Sequence, residues 1–92
     1  MHIAVVGLSH RTAPVEIREK LSIPEQTMEN SLKTLCANDQ VLEASILSTC
    51  NRLEIYTLVK HPENGIAAIS DYLSEYSGLP KEDLVPHLFL FH

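Results

Sequence analysis

The sequence has no tryptophan, only three glycines in 92 residues, only two cysteines, and no excess of positive charge. Gly7, Gly65 and Gly78 are too scattered for a Gly-x-Gly-x-x-Gly turn, so no dinucleotide cradle is read in this stretch. Cys36 and Cys50 follow a start, Met1-His2-Ile3-Ala4-Val5-Val6, that lacks the basic region of an export signal. Free thiols and an intracellular, cytoplasmic setting are therefore expected rather than a disulfide. No apolar run approaches the roughly 20 residues of a membrane span. The formal net charge is −5, and from His61 onward Lys81 alone faces Glu63, Asp71, Glu75, Glu82 and Asp83. That balance excludes a broad phosphate-binding surface, so the body of any nucleic-acid substrate would be gripped elsewhere. His2, His10, His61, His87 and His92 form no paired spacing with one another or with a cysteine, and no metal site is expected.

What is present is an ordinary globular balance, 45% apolar and 21% charged, enough for one small domain with a thin core. The β-branched run His2–Leu8 reads as a buried strand. Pro14 suits the start of a short helix through Leu21. Ser22-Ile23-Pro24-Glu25 has the Ser-x-x-Glu form of a capping box, and Met28, Leu32, Leu35 and Cys36 follow at helical spacing, predicting a helix from about Pro24 to near Asn38. Val41–Leu47 and Leu53–Val59 read as strands, the second with Leu53, Ile55, Thr57 and Val59 inward, joined by a loop from Ser48 to Arg52. Ile66, Ile69, Leu73 and Tyr76 mark another helix, closed by Ser77-Gly78. One turn over Lys81–Leu84 and a strand over Leu88–Phe91 complete the chain. The order βαββαβ is that of an α+β ferredoxin-like sandwich: an antiparallel four-stranded sheet with two helices on one face. Its first and third strands are neighbours, which brings Ser9-His10-Arg11 toward Asn51-Arg52.

The fold class does not decide a function, so the chemistry is read from residues. Cys36 falls on the apolar side of its helix, where a thiol acts as a small hydrophobe. Cys50 sits in a polar turn beside the hydroxyl of Thr49, the amide of Asn51 and the guanidinium of Arg52. A thiol near a cation and partly open to solvent is suited to nucleophilic attack, although small polar residues also populate turns for conformational reasons alone. Arg52, a planar fork that stays charged near neutrality, matches a carboxylate, or is simply a solvated loop cation. His10 belongs to the loop that the topology carries toward Arg52.

Two segments taken together carry a resemblance. Gly7-Leu8-Ser9-His10-Arg11-Thr12-Ala13-Pro14-Val15 with Ile17-Arg18-Glu19, and Leu47-Ser48-Thr49-Cys50-Asn51-Arg52 with Glu54-Ile55-Tyr56, resemble the signature segments of glutamyl-tRNA reductases, over essentially the whole chain. The resemblance implies that the chain is the N-terminal part of a catalytic domain, without the NADPH-binding and dimerisation domains. It implies that Cys50 attacks the ester joining glutamate to tRNA(Glu), giving a thioester that NADPH reduces to glutamate-1-semialdehyde for tetrapyrrole synthesis. Thr49, Asn51 and Arg52 take substrate-binding roles, Arg52 toward the glutamate carboxylate. The full enzyme is expected to be a homodimer in the cytoplasm, or in the plastid stroma of a plant, and to pass its product to glutamate-1-semialdehyde aminomutase. His87-Leu88-Phe89 mimics the family's active histidine context, but that histidine lies further along and its role is not carried onto His87. Two other functions remain open on the residues alone: a ferredoxin-like regulatory module for a small ligand, and a cysteine-dependent acyl hydrolase.

Overall fold

The computed structural model describes residues 1–92. Strands β1 (His2–Ser9), β2 (Val41–Ser48), β3 (Arg52–Val59) and β4 (Phe89–Phe91) form one sheet in the order β2-β3-β1-β4, every pair antiparallel. Helices α1 (Val15–Leu21) and α2 (Glu25–Cys36) precede β2, α3 (Pro62–Ser77) follows β3, and α4 (Lys81–Leu84) with a 3-10 turn leads to β4. This is the expected ferredoxin-like sandwich, with α2 against β2 and α3 against β1.

Side-chain alternation sets which face is covered. Leu53, Ile55, Thr57 and Val59 are buried along β3, opposite Leu8, Val6 and Ala4 of β1, as the period of two requires. Val6, Leu8, Leu53 and Ile55 make the main core with Leu21, Leu35, Ile69, Leu73 and Leu84 from the helices, while Ala4 and Val59 form a smaller cluster with Val41, each large side chain contributing about 1.5–3 kcal/mol by leaving water. Thr57 is accommodated because its hydroxyl donates to the Ala4 carbonyl at 2.8 Å. The opposite face of the sheet is open, with Ile3, Tyr56 and Phe91 exposed. There the Tyr56 hydroxyl donates to the Glu54 carboxylate at 2.7 Å, and that bond raises the phenol above its ordinary value.

Two expectations are corrected. Cys36 is exposed, not part of the apolar face of α2. The stripe that meets the core is centred on Ser31 and Leu35, and Ser31 is buried because the Tyr72 hydroxyl of α3 bonds to it at 2.6 Å. Spacing from Met28 through Leu32 to Cys36 follows the edge of that stripe, which turns outward in the last turn. The Ser22 capping box is also absent: Pro24 is the N-cap, in extended conformation at ψ 155, and no side chain caps the helix. Ser22 instead ends α1, where its carbonyl accepts the Tyr76 hydroxyl at 2.7 Å. Gly78 does close α3 in the left-handed region, at φ 75, and only a residue without Cβ adopts it freely.

Candidate active site

The antiparallel β1–β3 ladder runs as far as Ser9 opposite Arg52, so the loops beyond these residues lie side by side at one end of the sheet. Each loop is built by its own polar side chains. In the first, the Thr12 hydroxyl accepts the Ser9 N–H at 2.9 Å, the Ser9 carbonyl accepts Thr12 and Ala13 N–H at 3.0 and 2.9 Å, and the Ser9 hydroxyl accepts the Arg11 N–H at 3.2 Å. In the second, Thr49 N–H donates to the Arg52 carbonyl at 2.8 Å, while the Thr49 hydroxyl accepts the N–H groups of Asn51 and Arg52, both at 3.2 Å. Threonine suits this position because one short hydroxyl can serve several turn amides at once.

The loops are then stitched together. His10 N–H donates to the Asn51 carbonyl at 2.9 Å. From α1, Arg18 donates through Nε to the Ala13 carbonyl at 3.2 Å and through Nη1 to the Cys50 carbonyl at 3.1 Å. His87 Nδ1 reaches the Thr12 carbonyl at 3.1 Å, supporting the first loop from the turn before β4.

Between the loops lies a cleft of about 570 Å³ lined by Ser9, His10, Arg11, Thr49, Cys50, Asn51 and Arg52. The sequence places Cys50, Thr49, Asn51, Arg52 and His10 here, and the structure brings all five together. Cys50 is exposed and unpaired by disulfide. The chain's three arginines gather at this end: Arg11 and Arg52 line the cleft, and Arg18 braces it. Neither of the two salt bridges in the molecule, Lys33–Glu29 and Lys81–Asp71, involves an arginine, so the Arg11 and Arg52 guanidiniums are not occupied by carboxylates. A free thiol beside unneutralised guanidinium groups can attack an acyl carbon while an anionic group of the same substrate is held in place. Arg18 is the residue that sequence reasoning did not single out. It was visible only within the Ile17-Arg18-Glu19 string, and its partners are carbonyls, which sequence does not reveal.

The glycines do not fit a nicotinamide dinucleotide. A Cβ on Gly7, inside β1, would stand 2.6 Å from the Phe89 ring, one on Gly65, inside α3, 2.4 Å from Val59, and Gly78 ends a helix. Two are packing glycines and the third a cap, and none opens a strand-to-helix turn. No group of three or more histidine, cysteine or acidic side chains comes together as a metal site, and no helix is long and apolar enough to cross a membrane.

Residues 6–92 match the family described as glutamyl-tRNAGlu reductase, N-terminal domain. The whole chain is 83% identical to a glutamyl-tRNA reductase of Prochlorococcus marinus strain MIT 9303, and 82% identical to that of strain MIT 9313. It is 77% identical to one of Synechococcus sp. strain CC9902. In each comparison all 92 residues align and cover 21% of the relative, so the chain spans about a fifth of the length of these proteins.

Proposed function

Because the chain belongs to the glutamyl-tRNA reductase N-terminal domain family, we propose that it carries the acyl-accepting half of that enzyme's reaction, with Cys50 as the nucleophile toward glutamyl-tRNA(Glu). The observation that carries this reading is the exposed Cys50 in one cleft with the carboxylate-free Arg52. Cys50 Sγ forms a bond to the ester carbon, the bond from that carbon to the terminal ribose oxygen breaks, and the thiol proton ends on the ribose oxygen. Nothing is oxidised or reduced in this step. Arg52 takes the side-chain carboxylate of the glutamyl group as a two-pronged charge-assisted pair. Asn51, exposed and lining the same cleft, serves substrate binding with its side-chain amide, and Thr49, whose hydroxyl is engaged by the loop amides, serves it through the loop shape it maintains. Separating acyl transfer from reduction lets each partner be oriented in turn. The reduction by NADPH to glutamate-1-semialdehyde belongs to segments of the longer protein beyond these residues.

The test is to incubate the full-length protein with glutamyl-tRNA in the absence of NADPH, quench with acid and map adducts by mass spectrometry. A glutamyl adduct on the Cys50 peptide, absent from Cys50→Ser, is the expected result. Finding no adduct, or finding it on Cys36, would refute the assignment.

A further inference from the structure

We infer that Arg18 is the positioning residue of Cys50, holding the nucleophile's backbone in register with the opposite wall of the cleft; this rests on the proposed role of Cys50. The loop that carries Cys50 has no apolar anchor, since Thr49, Cys50, Asn51 and Arg52 are all exposed. Between its strand attachments at Ser48 and Arg52, its place is therefore set by hydrogen bonds. Those of the Thr49 hydroxyl are internal and fix the loop's shape but not its position relative to anything else. The base of the loop is tied by the pairing of Arg52 with Ser9 and by the Ile23 N–H donating to the Ser48 hydroxyl at 3.1 Å, while the residues between the strands reach the other loop or its flank through two bonds, His10 N–H to the Asn51 carbonyl and Arg18 Nη1 to the Cys50 carbonyl.

Arg18 differs from an ordinary surface cation in three ways. It is half-buried, it has no carboxylate partner, and both its identified acceptors are backbone carbonyls on separate segments, Ala13 at 3.2 Å and Cys50 at 3.1 Å. A guanidinium holds Nε and Nη1 at a fixed spacing in one plane, so a fork that bonds to both carbonyls also sets their separation. The fork in turn rides on α1, which is anchored by fully buried Leu21 and by Ile17 against the core. Rigidity thus passes from the core through α1 to a loop that no buried side chain of its own anchors.

Acyl transfer depends on this more than binding does, because a nucleophile displaced by about 1 Å can lose about 100-fold in rate. The test is single-turnover acylation of Cys50 by glutamyl-tRNA in the full-length protein, comparing wild type with Arg18→Met and Arg18→Lys. In Arg18→Met the rate at saturating substrate is expected to fall about 100-fold, with the half-saturating concentration moving less than about threefold. Arg18→Lys keeps the charge and one point donor, and should recover only part of the rate. A saturating rate in Arg18→Met within twofold of wild type, or a loss found wholly in half-saturation, overturns the inference. Should Arg18→Met fail to fold, Arg18→Lys decides, since a wild-type rate there shows that the fork is not needed. A wild-type protein that forms no thioester refutes the role of Cys50 instead, so the two failures are distinguishable.

Discussion

At one end of the sheet Cys50 sits in a loop held by polar side chains, with three arginines around it and no buried residue in the loop itself. At the other end Cys36 closes α2, just before Ala4, Val41 and Val59 pack into a small apolar knot with Gly65 pressed onto Val59. Both thiols are exposed, so exposure does not distinguish them. Their neighbours do. One end is built from hydrogen bonds that leave the Cys50 thiol and the Arg52 guanidinium free in one cleft, the other around close apolar contact, with no arginine near its thiol. The comparison teaches that this small domain separates the residues available for chemistry from those that hold it folded.

Substitutions at the two ends should therefore affect different measurements. The largest effect is expected from Cys50→Ser, which should lower acyl transfer by at least about 10³-fold while the melting temperature stays within error. A large thermal loss would show that the polar end also carries stability. Arg52→Lys comes next. Losing one charge-assisted bond, about 1.5–3 kcal/mol, should lower transfer efficiency roughly ten- to a hundred-fold and weaken discrimination against glutaminyl-tRNA. Unchanged discrimination would move the carboxylate site away from Arg52.

Gly65→Ala acts at the other end. The new Cβ would stand 2.4 Å from a Val59 methyl that is itself fully buried. Overpacking of about 1–3 kcal/mol should outweigh the gain of up to about 1 kcal/mol from replacing a helical glycine, lowering stability in denaturant titration. The acylation rate per folded molecule should not change. Cys36→Ser is expected to be the mildest, within about 0.5 kcal/mol in stability and without effect on thioester yield. A clear loss of yield would mean that the two ends are coupled and the comparison fails.

Sequence made the covered face of β3 legible, because alternation over eight residues leaves one register that buries Leu53, Ile55 and Val59. It also made the neighbouring loops legible, since βαββαβ order pairs the first and third strands. The environment of Cys36 was not legible: a buried serine satisfied by a tyrosine from another helix looks polar in sequence and shifts the apparent stripe. The start of α2 near Pro24 was legible but its capping was not, because Ser22-Ile23-Pro24-Glu25 fits a capping pattern that extended Pro24 does not allow. At the site, residue types brought Cys50 and Arg52 forward as candidates, but Arg18 bonds to carbonyls, and every residue has a carbonyl.

The register of Ser9 opposite Arg52 also bears on the order in which the molecule assembles. The β2–β3 hairpin closes through a three-residue loop, and hairpins form in about 1–10 μs, whereas β1 must find β3 across more than forty residues of chain. The loop that carries Cys50 should take shape early and acquire its opposite wall late. In pulsed hydrogen exchange during refolding, the amide of Thr49 should gain protection before that of His10, and the reverse order would contradict this. A nascent or partly unfolded chain would then display Cys50 in its native turn before any cleft exists to select what reaches it, so the thiol's selectivity would mature later than its loop.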